Sequence, residues 1–457
     1  MMDSERFRPY NRDQQYLLPA SMKEWLPEGH PAWFVIDAVR EMDLEAFYDG
    51  YSKDGSGNVP YDPELMVTLL LFAYTQGIRS SRAIEMKCMQ DVAFRIVAAN
   101  QQPDHVTISR FRKAKREKIQ GLFIEVLRLC REAGLGKLGI VAVDGTKIAA
   151  NAALDANRTQ AGLEKEVKKI LDEADAIDEE EDRKYGRDRR GDELPEEMRH
   201  KESRLARLRE AKERLEKEAQ AACEKQAEKI VIREQKEEKA GKPLRGRKPH
   251  SPEKAVNEES KANMTDPQSR IMKSRKGYIQ GYNAQIVVSQ DQLILAAKVT
   301  QEENDQHQWE PMMGEMRSNL KATGRRNQVK VGLGDAGYAN EAVLSSTPPN
   351  GMEIFLSTTK DYRRRKEIEQ AGSPRGRIPG GLSERERMER KLRTKRGQRF
   401  YRQRGMIVEA AIGQVKTCIG CRQFMCRGEV SARSEWQMVC SAHNLLKLYR
   451  SGKAHWC

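Results

Sequence analysis

The sequence predicts an α+β protein with a helical N-terminal domain, a mixed sheet flanked by helices, and an inserted charged helical hairpin. Residues 1–135 carry apolar residues at helical spacing, and residues 155–262 are densely charged around a thin apolar stripe. Apolar, β-branched runs typical of strands occupy 136–154 and parts of 263–450. A strand hairpin followed by a strand, a helix and another strand indicates a mixed sheet covered by helices. These boundaries define a helical domain, a mixed-sheet domain in two segments, and an insertion.

The composition favours a polyanionic partner. The chain has 457 residues, with 82 Lys and Arg against 68 Asp and Glu, and its formal net charge is +14. A protein this basic is expected to bind nucleic acid, because neutralising phosphates releases their counterions. The sequence shows no signal peptide, lipidation motif or membrane-length apolar run, so we expect a cytoplasmic protein that does not enter a membrane.

The eight cysteines do not form a metal-binding pattern. Cys418 and Cys421 have the spacing of one half of a zinc site, and Cys426 follows closely. A second close pair is missing from the sequence, and His443 and His455 are isolated. We therefore predict free thiols rather than a structural zinc site.

The N-terminal domain shows the pattern of a DNA-binding helical array. Residues 63–77 are apolar nearly all round and predict a core helix, a second helix follows Ser80, and a third begins after Asp104. The basic residues on and just after the third helix are Arg110, Arg112, Lys113 and Arg116. A basic third helix favours insertion into a DNA groove, although a solvated helix face would have the same composition. An apolar helix over 121–133 precedes the central strand.

The insertion predicts an antiparallel pair of charged helices. Apolar residues between Leu163 and Ile177 recur at alternating steps of four and three, as in a coiled-coil seam. After a break at 185–191, a second charged helix is predicted over 197–235, and a Lys-, Gly- and Pro-rich linker follows over 241–252. The hairpin could be a solvated protrusion, a dimerisation element or a DNA-binding arm.

Three acids stand out against their apolar surroundings. Residues 138–143 form a continuous apolar run, which predicts a strand buried on both faces and ending at Asp144. Residues 329–334 repeat this pattern before Asp335, and Glu409 lies within a predicted helix. The ordinary alternatives are turn aspartates at the two strand ends and a surface glutamate paired with an arginine.

If the three carboxylates converge, they predict a divalent-cation site. Oxygen-only ligands suit Mg²⁺ or Mn²⁺, and two such ions about 4 Å apart stabilise the attacking and leaving oxygens of a phosphoryl displacement. Asp305 and Glu302 lie near predicted elements and compete with Glu409 for the third position. The basic segment 360–400 would suit contact with a phosphate backbone.

Six motifs along nearly the whole chain resemble those of one protein family. They are Phe7-Arg8-Pro9-Tyr10, residues 77–82, residues 98–105, residues 143–147, residues 334–338, and Val408-Glu409 with residues 413–416. Together they resemble the DDE transposases of bacterial insertion sequences, most closely the insertion-sequence family eleven-eighty-two. The resemblance implies a ribonuclease-H-like catalytic core, divalent metal, and cut-and-rejoin chemistry on transposon ends.

The resemblance also implies roles for individual residues. The catalytic, metal-binding acids of the family correspond to Asp144, Asp335 and Glu409. Relatives carry a DNA-binding signature on the third-acid helix, and it corresponds to Tyr401, Arg404, Glu409 and Lys416. Because four residues separate Arg404 from Glu409 where the family has three, Arg402 is an alternative to Arg404.

The predicted function is that of a DNA transposase. It would bind the terminal inverted repeats of an insertion sequence as double-stranded DNA, act as a homodimer, and catalyse metal-dependent strand cleavage and strand transfer. The alternatives are a catalytically inactive DNA-binding relative and a nuclease of the same fold that does not prefer particular ends. Nicking of end DNA that depends on Mg²⁺ or Mn²⁺ distinguishes an active enzyme from the inactive relative.

Overall fold

The computed structural model describes most of the chain and confirms an α+β protein with a mixed sheet. The described residues are 21–51, 59–170, 196–243, 248–252, 259–274, 277–325, 328–346 and 351–454. Within them, no helix is long and apolar enough to cross a membrane.

Seven helices of the described chain precede the first strand. They are α1 (Pro31–Arg40), α2 (Glu45–Tyr48), α3 (Pro63–Thr75), α4 (Ser81–Gln90), α5 (Val92–Val97), α6 (His105–Ala114) and α7 (Ile119–Glu132). Every α3 residue from Met66 to Thr75 is buried, which confirms the predicted core helix. The predicted start of α6 is also confirmed, because the Asp104 carboxylate accepts a hydrogen bond from the Thr107 amide at 2.8 Å.

The turn after α3 joins the helical N-terminal region to the last part of the chain. Gly77 has a φ of +74°, and a Cβ there would lie 3.0 Å from the Cys418 carbonyl oxygen, so glycine is required. The Arg79 guanidinium pairs with the Glu435 carboxylate at 2.7 Å, with 4% and 1% of the two side chains exposed. The same guanidinium donates to the backbone carbonyls of Gly420 and Gln423. Part of the 77–82 motif thus connects the helical N-terminal region to residues 418–435.

The insertion begins at a two-stranded ribbon formed by β2 (Asn157–Thr159) and β3 (Lys261–Asn263). Its described helices are α8 (residues 160–170) and α9 (Glu196–Ala240). They pack through a small core of their own, which includes Leu163, Ile170, Leu208, Ala211 and Leu215. Lys212 also pairs with Glu164 at 3.0 Å. The predicted break at 185–191 lies outside the described residues.

Within the described residues, the central sheet has six strands. They are β1 (Ile140–Ala149), β4 (Arg270–Ser274), β5 (Gly277–Ser289), β6 (Ile294–Thr300), β7 (Val331–Gly334) and β8 (Glu353–Leu356). The order is β4-β5-β1-β7-β8, and β6 also pairs with β5. β1 is antiparallel to β5 and parallel to β7, and β7 is parallel to β8.

Two predictions about β1 have different outcomes. Its first residues, 140–143, are all buried, as predicted for a strand covered on both faces. The prediction that the strand ends at Asp144 is wrong, because β1 continues to Ala149. The reason is its long antiparallel partner: β5 pairs with β1 as far as Ala149 and Gly281, whereas the shorter β7 stops earlier.

The remaining α-helices lie between the later strands or after the last one. They are α10 (Trp309–Ala322), α11 (Glu341–Ser345), α12 (Tyr362–Gln370), α13 (Glu384–Arg393), α14 (Lys395–Tyr401), α15 (Gln403–Thr417) and α16 (Glu429–Ser451). The helix predicted to contain Tyr401 and Glu409 is therefore divided at Arg402, between α14 and α15. Helix α16 packs against α3, α7 and β6, which places the C-terminal helix in the main core.

Candidate catalytic centre

The parallel pairing of β1 with β7 brings two of the predicted acids together. The last residues paired in register are Ala142 and Leu333, and Asp144 and Asp335 each lie two residues further on. Neighbouring strands are about 4.8 Å apart, so the two aspartates occupy adjacent positions where the strands part. The fold thus places side by side two carboxylates that are distant in the sequence.

The surroundings of Asp144 disfavour its negative charge. Only 15% of the side chain is exposed. Burial raises the pKa of Asp144 to about 6, the Arg404 guanidinium opposes this rise, and the negative charges of Asp335 and Asp305 add to it. The carboxylate is oriented by the Gly145 amide, which donates to Oδ1 at 2.9 Å. A bound cation would favour the ionised form.

Asp335 is oriented by the turn that follows β7. Its Oδ1 accepts a hydrogen bond from the Gly337 amide at 2.7 Å, which is the contact expected of a turn aspartate. Because it directly follows β7, the same residue also lies next to Asp144. Asp335 therefore makes a turn contact and also lies beside the first acid.

Glu409, the third predicted acid, does not converge with the aspartates in this structure. Helix α15 packs on β1 and β5, and its buried residues are Ile407, Val408, Ala411 and Val415. The Glu409 side chain is 73% exposed, and its Oε1 lies 3.9 Å from the Arg404 guanidinium. Among the residues that the structure describes, no three Asp, Glu, His or Cys side chains are arranged to hold one metal ion.

Arg404 occupies the space between the first and third acids. Its Nη2 lies 3.3 Å from Asp144 Oδ2 and its Nη1 lies 3.9 Å from Glu409 Oε1. Its side chain is 15% exposed, whereas the side chain of Arg402, the alternative from the sequence, is exposed. Of the two arginines, Arg404 is therefore the one that contacts the candidate catalytic acids.

Tyr401 and Lys416 lie at opposite ends of the same helical pair. Tyr401 is the last residue of α14 and is half-buried. Lys416 lies two helical turns after Glu409 on the same face of α15, and its Nζ donates to the Lys147 carbonyl at 3.3 Å. Lys416 thus reaches the part of β1 that follows Asp144.

The four basic residues predicted near α6 fall into two groups. Arg110 and Lys113 are exposed and Arg116 is half-buried. Lys113 and Arg116 line a cleft of about 300 Å³ that Arg427 also lines. Arg112 lines the same cleft, but its guanidinium is engaged by the protein: it donates to the Tyr74 hydroxyl, the Arg79 carbonyl and the Ser81 hydroxyl.

Two polar residues near the aspartates have no role that the sequence predicted. Asn283 and Gln285 on β5 are fully buried, and their side-chain amides donate to Asp305 Oδ1 at 2.7 and 2.6 Å. Asp305 itself was considered only as a competitor of Glu409. The available signal was a pair of amide side chains at alternating positions in a strand that ends in an apolar run, and this spacing places both on one face of the sheet.

The donor atoms near β1 and β7 fit a divalent cation of the Mg²⁺ or Mn²⁺ type. Asp144, Asp335 and Asp305 supply carboxylate oxygens, and the buried Asn283 Oδ1 has no hydrogen-bond partner in the described structure. Such ions prefer oxygen ligands. For Glu409 to join this set, its side chain must turn away from Arg404.

Two segments of the chain match models of known protein families. Residues 20–114, which contain α1 to α6, match a transposase domain (DUF772). Residues 381–449, which contain α13 to α15 and most of α16, match a transposase DDE domain. No curated protein and no solved structure matches the chain.

Proposed function

We propose that this chain, which belongs to the DDE transposases of the insertion-sequence type, binds the terminal inverted repeats of its element and catalyses metal-dependent strand cleavage and strand transfer. The observation that carries the proposal is the adjacency of Asp144 and Asp335 at the end of the β1–β7 pairing. Two neighbouring carboxylates, one of them buried enough to resist ionisation, suit metal-assisted phosphodiester chemistry.

A ribonuclease-H-like core is part of this proposal. The strand order β6-β5-β1-β7-β8 supports it, since β5 is antiparallel to both of its neighbours in this order and the other strands run parallel to β1. In this arrangement the first acid is on the central strand and the second follows the adjacent parallel strand. The third acid is on α15, which packs against β1 and β5.

The acids would bind the metal, and backbone amides would hold the two aspartates in place. Asp144, Asp335 and Glu409 would bind Mg²⁺ or Mn²⁺, which would lower the pKa of the attacking water and stabilise charge on the leaving 3′ oxygen. The amides of Gly145 and Gly337 fix the two aspartates through hydrogen bonds of 2.9 and 2.7 Å. Such contacts keep ligands in position before the substrate arrives.

The basic residues around the acids would hold the DNA. Tyr401, Arg404 and Lys416 lie on the two helices next to the acids, and Arg110, Lys113 and Arg116 supply a second basic surface near α6. A DNA phosphate that binds Arg404 competes with Asp144 and Glu409 for the same guanidinium. Binding of the element end would therefore release both acids for catalysis.

Cleavage of a duplex with the terminal sequence that flanks the gene tests this function. With Mg²⁺, the full-length protein should nick the duplex at the element's end, and Asp144→Asn and Asp335→Asn should abolish nicking. Both variants should still bind the duplex, because the basic surface remains. Glu341→Gln is the matched control, since Glu341 is an exposed acid shortly after Asp335.

Each other outcome has a definite meaning. Nicking that survives in either aspartate variant would overturn the assignment of the catalytic acids. End binding without any nicking by the unaltered protein would favour the inactive DNA-binding relative. Equal cutting of an unrelated duplex would favour a nuclease without end preference.

A further inference from the structure

We propose that Asp305 is a carboxylate ligand of the metal centre and acts with Asp144 and Asp335 before Glu409 joins them. The three aspartates are not arranged around one point in this structure, so cation binding would require them to move inward and Asp144 to leave Arg404. This inference rests on the proposed function, because it adds a residue to the same centre. It assigns metal binding before DNA arrives to an aspartate in the turn between β6 and α10.

Asp305 reaches the backbone beside both aspartates. Its Oδ2 lies 3.2 Å from the position that a Cβ on Gly337 would occupy, and Asp335 Oδ1 lies 2.9 Å from the same point. Its Oδ1 lies 2.7 Å from the corresponding point on Gly145, the residue that follows Asp144. A Cβ at Gly145 would collide with the Asp305 carboxylate and with Gln285 Nε2, and a Cβ at Gly337 would contact Asp305 tightly. The Asp305 carboxylate therefore lies close to the backbone beside both aspartates.

The Asp305 carboxylate is oriented in the way that metal ligands usually are. Its Oδ1 accepts hydrogen bonds from the amides of Asn283 and Gln285, and the Tyr338 hydroxyl holds Gln285 in turn. These three supporting side chains are buried. Metal-ligating carboxylates are commonly hydrogen-bonded by an outer layer of this kind. With Oδ1 engaged, Oδ2 is the oxygen that faces Gly337 and Asp335.

A second observation points to a ligand at this place. Asn283 Oδ1 is buried and has no hydrogen-bond partner among the described residues, and it lies 3.0 Å from the Cβ position of Gly145. A buried acceptor without a partner is costly, so such atoms usually meet water or an ion. A cation held by Asp305 and the two neighbouring aspartates, or a water bound to that cation, would satisfy this oxygen.

The charges around Asp305 agree with this assignment. The negative charges of Asp335 and Asp305 both raise the pKa of Asp144, so the three carboxylates repel one another. The same three charges also raise the pKa of the buried Tyr338 hydroxyl, after burial itself. A purely structural Asp305 would explain its two amide contacts. It would leave the buried Asn283 oxygen without a partner among the described residues.

Mn²⁺ titration of the full-length protein without DNA tests the inference. By calorimetry at a pH above the pKa of Asp144, Asp305→Asn should weaken Mn²⁺ binding by about tenfold or more. Glu409→Gln should change the affinity little, because Glu409 is 73% exposed and held by Arg404. Glu303→Gln is the matched control, since Glu303 is an exposed acid close by whose substitution removes the same charge. Unchanged affinity in a folded Asp305→Asn variant would overturn the inference.

If the Asp305→Asn variant does not fold, a measurement on the unaltered protein tests the inference. Fe²⁺ with ascorbate and peroxide produces hydroxyl radicals that cut the chain near bound iron, and mass spectrometry locates the cuts. Cuts near residues 144, 305 and 335 that Mn²⁺ suppresses would support the inference, and cuts near 144 and 335 alone would overturn it.

The two proposals fail in different ways. If the unaltered protein neither binds Mn²⁺ nor nicks end DNA, the proposed function fails. If it does both, and Asp305→Asn does both equally well, only the role of Asp305 fails.

Discussion

The Arg404 guanidinium lies 3.3 Å from the Asp144 carboxylate, and each side chain is only 15% exposed. The same guanidinium lies 3.9 Å from Glu409, so one cation stands between the first and third acids of the proposed centre. A positive charge at this place neutralises the acids and opposes metal binding. Exchange of this contact for a DNA phosphate would link assembly of the centre to substrate binding.

Substitution of Arg404 by alanine should strengthen metal binding in the absence of DNA. The variant frees Asp144 and Glu409 and removes a repelling charge, so we expect Mn²⁺ affinity to rise roughly tenfold, or about 1.4 kcal/mol. Calorimetry at a pH above the pKa of Asp144 measures the Mn²⁺ affinity. Nicking of end DNA should decrease in the same variant, because a phosphate contact is lost. The exposed Arg402 provides the control, and equal affinities for Arg404→Ala and Arg402→Ala would contradict the proposed competition.

The raised pKa of Asp144 predicts how stability depends on pH without metal. The folded pKa is about 6 against an ordinary value of 3.8. Because the folded pKa is raised, ionisation of Asp144 destabilises the fold. The stability that the protonated Asp144 contributes is fully present below about pH 4 and is lost as pH rises through about 6. The loss is at most about 3 kcal/mol, because each tenfold change in proton affinity between the folded and unfolded states corresponds to about 1.4 kcal/mol.

Asp144→Asn should therefore lose less stability than the unaltered protein across this pH window. Thermal unfolding of both proteins from about pH 4 to pH 8, in the presence of a chelator, measures the difference. The gap between the two unfolding temperatures should move in favour of the variant as pH rises. Parallel curves would show that Asp144 titrates at an ordinary pKa.

The ion pair between Arg79 and Glu435 should be important for stability. Both side chains are almost completely buried, and Glu435 also accepts hydrogen bonds from the Met425 and Cys426 amides. Glu435→Gln leaves a buried arginine without its counter-charge, so it should destabilise the fold by about 3–5 kcal/mol. Denaturant unfolding measures this loss. Asp37→Asn breaks the exposed pair with Arg40 and should cost less than about 1 kcal/mol; equal losses would contradict the prediction.

The basic residues near α6 should separate into two classes. Lys113→Ala and Arg116→Ala should weaken DNA binding for all sequences and reduce the slope of log affinity against log salt concentration by about one for each lost phosphate contact. Arg112→Ala should instead lower the unfolding temperature, because its guanidinium bonds Tyr74, Arg79 and Ser81 in the interior. Binding at several salt concentrations, together with thermal unfolding, distinguishes these effects. A fully stable Arg112→Ala variant with weak DNA binding would reverse the assignment.

Local patterns were sufficient to predict several of the individual elements. Continuous apolarity predicted the buried start of β1 and the core helix α3, because burial on all sides requires apolar residues throughout. The hairpin of β5 and β6 and the cap of α6 at Asp104 also follow from residues close together in the chain. The strand ending at Asp144 was mispredicted because the length of β1 depends on β5, whose sequence is far away.

The sequence by itself determined that the chain is basic, that α3 is a core helix, that β5 and β6 form a hairpin, and that Asp144 and Asp335 follow buried apolar runs. The tertiary structure alone decided which groups meet: Asp144 with Asp335 through the β1–β7 register, Arg404 with Asp144, and Asp305 with the amides of β5. The physical reason is that apolar periodicity and caps depend on neighbours in the chain. Strand register and the direction of a buried charge depend on partners that only folding brings near.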